Sequence, residues 1–162
     1  MRSAQGVLHK IFTIEKLLQQ VTVWRMQSKK IAFTNGVFDI IHQGHIASLT
    51  EAASFADVLI VGVNADLSVK KLKGLTRPIN NQDTRSLLLA SLLQTDAVII
   101  FEEDTPLELI KKLLPDVLIK GGDYTIDQIA GAKEVIAAGG EVKIARMLPG
   151  ISTTRIIAIL DK

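Results

Sequence analysis

Hydrophobic positions along the chain follow two alternating signatures. Short runs rich in β-branched residues, at 30–34, 58–63, 97–101, 117–120 and 142–145, read as buried strands. Between them, apolar residues recur at helical spacing over 46–55, 82–93, 106–113, 126–138 and 153–160, and an amphipathic helix over 14–26 precedes them all. Pro106 after Asp104-Thr105 suits a first helical turn, and Gly139-Gly140 suits a helix stop. Strands that are apolar on both faces and separated by helices pair in parallel through right-handed crossovers. The predicted fold class is therefore α/β, a Rossmann-like open parallel sheet of about five strands with helices on both faces. Residues 1–28 are expected to form a helical extension to a domain over 29–162, and the polar stretch 68–83 is expected to be irregular.

The junction after the first predicted strand carries the densest chemistry. There Thr34-Asn35-Gly36-Val37-Phe38-Asp39-Ile40-Ile41-His42-Gln43-Gly44-His45 places a turn glycine, a carboxylate and two imidazoles at the mouth of a helix. A helix starting near Gly44 would turn unpaired N–H groups and its positive dipole end towards an anion, and glycine admits a phosphate close to the backbone. His42 and His45 share one side of a helical turn, so both reach the same anion. Spacing alone leaves two other readings open: an accidental pair, and a zinc site completed by Asp39. The glycines and the helix start suit an anion better than a dry metal cage, so no protein-held metal is predicted.

Composition narrows the partners. With 162 residues, 48% hydrophobic and 4% aromatic, the chain has enough length for one aliphatic core and too little for two comfortable domains. A formal net charge of +2, with lysines scattered or in short clusters such as Lys70-Lys71 and Lys111-Lys112, argues against nucleic acid as the main partner. The absence of cysteine excludes a disulfide framework and cysteine-ligated zinc. No apolar run approaches the roughly 20 residues that span a membrane, and Met1 to Lys10 lacks the apolar core of a signal peptide. A cytoplasmic protein with no membrane partner is expected. Leu17, Leu18, Val21 and Trp24 of the first helix pack either on the domain or on a second subunit, which leaves a homo-oligomer open, and His9 takes a packing or surface role.

Neither Gly-x-Gly-x-x-Gly after the first strand nor Gly-x-x-x-x-Gly-Lys-Ser/Thr is present, so phosphate must be held by another device. Ligands of open α/β sheets bind beyond the carboxyl ends of the strands. Three segments sit at such ends: the histidine corner, Asn64-Ala65-Asp66, and Lys120-Gly121-Gly122-Asp123-Tyr124. A second anion site is offered by Gly150-Ile151-Ser152-Thr153-Thr154-Arg155, which reads as a turn into a helix with hydroxyls at its positive end. A cation at Arg155 is disfavoured there unless an anion is near; the alternative is a capped helix with a solvated arginine.

Gly36-Val37-Phe38-Asp39 followed by His42-Gln43-Gly44-His45 resembles the Gly-x-Phe-Asp and His-x-Gly-His signature of the cytidylyltransferase-like nucleotidyltransferases. Leu72-Lys73-Gly74 with Arg77-Pro78, Phe101-Glu102-Glu103-Asp104-Thr105-Pro106, Lys120-Gly121-Gly122-Asp123-Tyr124 and Ser152-Thr153-Thr154 are similar to segments of bacterial D-glycero-D-manno-heptose 1-phosphate adenylyltransferases. The likeness spans residues 28–160. In many relatives this domain lies behind a sugar kinase, and the resemblance implies a stand-alone version here.

The activity so implied joins ATP to a sugar 1-phosphate, releasing pyrophosphate and forming ADP-heptose for lipopolysaccharide or related glycans, with Mg²⁺ accompanying ATP. The same-superfamily alternative is a cytidylyltransferase acting on glycerol 3-phosphate or a related polyol phosphate; the alternative outside catalysis is a nucleotide-binding module. The resemblance assigns catalysis to His42, His45 and Lys73. It assigns nucleotide binding to Thr34, Asn35, Gly36, Phe38, Gly44, Arg85, Lys120, Gly121, Asp123, Ser152, Thr153 and Thr154. Asp39, Asn64, Asp66 and Arg77 are its substrate-binding candidates. Lys73, beside flexible Gly74, would close over phosphates once ligand binds, or else is a solvated loop lysine. Arg85 lies near the phosphates or on a helix surface. Close heptose enzymes often carry an uncharged amide where Arg155 stands, which leaves that residue without an assigned role.

Overall fold

The computed structural model describes residues 5–146, 150 and 152–160. Six parallel strands form one sheet in the order β1-β4-β3-β2-β5-β6. They are β1 (Ile11–Phe12), β2 (Ile31–Gly36), β3 (Val58–Asn64), β4 (Ala97–Phe101), β5 (Val117–Gly121) and β6 (Glu141–Ala145). Five of these are the predicted strands, within two residues of their expected bounds. The sixth, β1, is two residues long at the sheet edge and too short to show a period.

The helices are α1 (Gln5–Leu8), α2 (Ile14–Met26), α3 (Gln43–Ala53), α4 (Asp66–Lys73), α5 (Gln82–Ala90), α6 (Leu107–Leu113), α7 (Ala132–Ala137) and α8 (Thr153–Leu160). Successive strand residues point to opposite faces, which divides the core in two. On one face Phe33, Ile60, Ile99 and Leu118 pack with Leu17 and Val21 of α2, Ile110 of α6 and Val135 of α7. On the other, Ala32, Leu59, Val61, Val98 and Ile119 pack with Leu49 of α3 and Leu89 of α5. Leu17 and Val21 are buried in this chain's own core, Leu18 and Trp24 pack against it, and β1 pairs with β4, so residues 11–26 are built into the sheet and its packing.

Two helical expectations change. The polar segment expected to be irregular from residue 68 instead opens with α4, whose Asp66 in the first turn and Lys70, Lys71 and Lys73 in the last complement the helix dipole. Its burial is confined to Ser68 and Val69, so the apolar signature is weak. The single helix expected over 126–138 is broken into a 3-10 turn, Ile126–Gln128, and α7. Gly131 causes the break: it has φ +84°, and a Cβ there would lie 2.6 Å from Ile110. The break carries Gln128, Ile129 and Ala130 to the carboxyl-end face of the sheet, where they line a cavity.

That face is held by a buried polar knot. Arg85, fully buried on α5, donates from Nη1 to the carbonyl of Val37 (2.6 Å) and from Nη2 to the carbonyl of Asn64 (2.8 Å) and to Asp66 Oδ1 (2.7 Å); its Nε donates to the carbonyl of Asn80 (2.9 Å). Asp39, 1% exposed, accepts from Arg77 Nε (2.6 Å) and from the amides of Ile79 (2.8 Å) and Asn80 (2.9 Å). Burial alone would raise the Asp39 carboxyl, but those two amides and the Arg77 guanidinium outweigh it and hold it below the usual carboxylate range. Arg85 thus does not lie on a helix surface. Replacing it leaves three carbonyls without their donor, so Arg85→Met is expected to destabilise the fold by about 3 kcal/mol or more, measured by urea denaturation.

Candidate active site

The strand order reverses direction between β2 and β5, because the chain runs from β2 outward to β4 and then returns to β5 on the other side. Crevices at such switch points are where open α/β sheets bind ligands. A cavity of about 290 Å³ opens there, lined by Thr34, Asn35 and Gly36 from β2, Val37, Phe38 and His42 from the following loop, and Gly44, His45, Ser48 and Leu49 from α3. Lys120, Gly121 and Tyr124 close it from the β5 side, with Ser152 and Thr153 at the start of α8.

Gly36 admits a close approach. A Cβ there would meet the Phe38 ring at 3.0 Å, and that ring, nearly buried, lies 5.3 Å from the His45 ring. His42 caps α3, its Nδ1 accepting the Gly44 N–H at 3.1 Å, while the amides of His45 and Ile46 bond back to the His42 carbonyl. The first turn of α3 therefore spends these amides internally. Of the N–H groups expected to face the anion, those of Gly44, His45 and Ile46 are instead bonded to His42. Because Nδ1 of His42 accepts, the proton of the neutral ring is assigned to Nε2.

His42 and His45 stack with ring centroids 3.8 Å apart and planes inclined by 22°. Burial lowers the pKa of both; for His45 it reaches about 4, with the neighbouring His42 charge adding to the shift and the Ile40 carbonyl opposing it. Among the described residues no hydrogen bond of good geometry reaches His45 Nδ1, which is buried. Both rings are thus held neutral near pH 7. Across the cavity, Ser152 Oγ accepts the Arg155 N–H at 3.2 Å and caps α8, and Thr153 Oγ1 lies 3.4 Å from the Ile40 carbonyl.

Lys120 Nζ donates to Asn35 Oδ1 at 3.2 Å across the switch point and lies 5.7 Å from the Tyr124 ring centroid. Burial lowers its pKa. A second cavity of about 360 Å³ shares Asn35, Gly36, Val37, Lys120 and Tyr124 with the first and extends to Asn64, Lys73, Asp104, Thr105 and Gln128.

Most nucleotide-binding candidates therefore gather on the first cavity, and Asn64 and Lys73 on the second. Asp39, Asp66, Arg77 and Arg85 belong to the polar knot and line neither cavity. Asp123 and Thr154 are exposed and also line neither, and Arg155 turns its Nη1 back onto the Gly150 carbonyl at 2.7 Å. Ile151 of that motif lies outside the described residues. Ser48, Leu49, Val37 and Tyr124 were not among the sequence candidates; Ser48, one helical turn after His45, was accessible from i, i+3 spacing. Among the described residues no cluster of three or more His, Cys, Asp or Glu side chains is arranged to hold a metal ion, and Asp39, the carboxylate needed for the zinc alternative, is spent on Arg77 and two amides. Among them, too, no helix is long and apolar enough to cross a membrane.

The family model described as cytidylyltransferase-like matches residues 33–159. The chain is 47% identical over 160 residues to the bifunctional protein HldE of Acidiphilium cryptum, covering 99% of this chain and 33% of that protein. It is 53% identical over 135 residues to HldE of Rhodopseudomonas palustris, covering 83% and 28%. The chain thus spans about a third of the length of these curated relatives. Among solved structures, a lipopolysaccharide core biosynthesis protein from Thermoplasma volcanium superposes with a TM-score of 0.59 at 29% identity, covering 74% of this chain and 97% of that one. Pantoate-beta-alanine ligase from Francisella tularensis, at 16% identity and a TM-score of 0.62 over 93% of this chain and 76% of that one, shares the fold. The sheet with its reversal at β2 and β5, the paired histidines at that reversal and the match over residues 33–159 place this chain in the cytidylyltransferase-like family of nucleotidyltransferases.

Proposed function

We propose that the chain transfers AMP from ATP to D-glycero-D-manno-heptose 1-phosphate, giving ADP-heptose and pyrophosphate. The observation that carries this reading is the convergence of two stacked imidazoles and the capped start of α8 on one cavity at the switch point. The HldE relatives, aligned over most of this chain, and the lipopolysaccharide core biosynthesis protein support a sugar-phosphate acceptor. ATP and the sugar phosphate are the partners of this reading, in a cytoplasmic setting.

The nucleophile is a phosphate oxygen already ionised near neutral pH, so the reaction needs alignment and charge stabilisation rather than a general base. That oxygen attacks the α-phosphorus of ATP; the bond from the α-phosphorus to the bridging oxygen breaks, and pyrophosphate leaves with the electron pair. Negative charge gathers on the equatorial and leaving oxygens. The proton on His42 Nε2, fixed there by the Gly44 N–H at Nδ1, is available for donation to such an oxygen. His45, stacked beside it, supplies a second donor, and the hydroxyls of Ser152 and Thr153 supply others from α8. A protein cage for a metal does not fit, since the Asp39 and Asp66 carboxylates are already paired. Mg²⁺ belongs to this reading as part of the ATP substrate, held by phosphate oxygens, whose charge it offsets.

A pyrophosphate-release assay tests the reading, pairing ATP or CTP with heptose 1-phosphate, other sugar phosphates and glycerol 3-phosphate. Turnover with ATP and heptose 1-phosphate is expected, and His45→Ala should lower it by on the order of 100-fold or more. Preference for CTP and glycerol 3-phosphate would replace the reading with the polyol-phosphate alternative, and silence with every pair would leave a binding module.

The neutral state of His45 also makes a stability prediction. Its folded pKa, about 4, lies below the ordinary value of 6.5, so the unfolded chain binds the proton more tightly. The corresponding stability is present in full above that ordinary value and is lost as pH falls towards the folded pKa. Urea denaturation at pH 7 and pH 5 should show a larger loss for the native chain than for His45→Gln, which lacks the titrating ring.

A further inference from the structure

We propose that the second cavity is the acceptor subsite and that Lys120, on the wall shared by the two cavities, is the catalytic cation that holds the acceptor phosphate against the α-phosphorus. This rests on the nucleotidyltransferase reading above and goes beyond it in naming where the acceptor sits and what grips its reacting group.

The two cavities differ in chemistry. The first offers imidazoles and hydroxyls, with Phe38 and Leu49 as apolar wall, which suits a phosphate chain followed by an aromatic base. The second mixes amides, a cation and a carboxylate that Lys71 pairs at 3.1 Å: Asn64, Gln128, Lys73 and Asp104. Paired donors and acceptors of this kind suit a ligand with several hydroxyls and one anionic group, a sugar phosphate. Asn64 is 5% exposed; its Nδ2 donates to Ser68 Oγ at 3.2 Å, and its backbone carbonyl is held by Arg85 at 2.8 Å, so the residue is fixed with Oδ1 left to accept. Gln128 accepts the Thr125 N–H at 2.9 Å through Oε1, which leaves Nε2 to donate.

Lys120 is the group that both cavities share and that lacks an ionic partner. No carboxylate among the described residues pairs with its ammonium, whose hydrogen bond goes to the neutral Asn35 amide. A largely buried cation without a counterion is costly, and the cost is relieved by an anion entering from either side. At the shared wall, one ammonium can contact an equatorial oxygen of the α-phosphate and an oxygen of the attacking phosphate together. It brings two anions within bonding distance, offsetting the repulsion that otherwise opposes attack. Lys120 keeps its proton throughout: the new bond joins the acceptor oxygen to the α-phosphorus, and the pair from the broken bond departs on pyrophosphate.

The test separates nucleotide from acceptor. Lys120→Met should lower kcat by about 100-fold and raise KM for heptose 1-phosphate by a larger factor than it raises the Kd for a nonhydrolysable ATP analogue, read by calorimetry, since the analogue keeps its remaining phosphate contacts in the first cavity. Lys120→Arg should recover about a tenfold part of the loss, which a merely structural lysine would not predict. Gln128→Ala, on an exposed turn, should raise KM for the acceptor by about tenfold with KM for ATP unchanged, and keeps the acceptor site testable if Lys120→Met does not fold. Weakened analogue binding with unaltered acceptor kinetics would overturn the proposal. Independently of turnover, heptose 1-phosphate titrated into the analogue-saturated native chain should shift the side-chain amide NMR signals of Asn64 and Gln128. Native turnover without those shifts would overturn the acceptor subsite alone; shifts without turnover would support the subsite while removing the proposed activity.

Discussion

One buried guanidinium fixes the geometry on which the site depends. Arg85 has no exposed surface, and its four hydrogen bonds reach Val37 beyond β2, Asn64 at the end of β3, Asp66 at the start of α4 and Asn80 in the loop before α5. A buried cation must have its donors satisfied, and here three of the four acceptors are backbone carbonyls. Backbone held this way cannot drift without stranding charge. Asp39 ties the Arg77–Asn80 segment to the β2 loop from the other side, so the loops that frame both cavities are coupled through one polar knot. These two residues affect the site by holding its frame.

The histidine corner gains its properties from the same economy of space. Gly36 yields room to Phe38, Phe38 packs against His45, and His45 stacks on His42, so the imidazoles are set by packing before any ligand arrives. Packing also removes water from the rings, and that desolvation, reinforced by their proximity, keeps them uncharged. Neutral donors whose orientation is already fixed lose little on reorganisation when charge develops nearby. The capping bond from Gly44 to His42 decides which nitrogen carries the proton, a detail belonging to the helix start as much as to the chemistry.

Much of this was legible in the sequence. Strands apolar on both faces announced a parallel sheet, and the strand-end motifs marked the face where the cavities lie. What escaped had physical reasons. The two-residue β1 has no period, α4 is largely exposed and lysine-rich, and Gly131 breaks a helix because of a contact with Ile110 that only the folded chain reveals. The polar residues divided in the same way. His42, His45 and Lys120 gather on cavities at the strand ends where their motifs lie, whereas Arg77 finds Asp39 and Arg85 finds the Val37 carbonyl across about 40 residues of sequence or more, where spacing carries no information. A charged residue in a ligand-binding neighbourhood reads alike whether it faces the ligand or braces the wall.

Nitrogen-15 NMR of the His42 and His45 side chains, with and without a nonhydrolysable ATP analogue, reads the anion corner most directly. The geometry predicts that at pH 7 the free protein shows both rings neutral, with the His42 proton on Nε2, and that the analogue shifts the Nε2 signals of both rings while leaving His42 Nδ1 bonded to the Gly44 amide. A charged His45 in the free protein, a His42 proton on Nδ1, or rings indifferent to the analogue would contradict it.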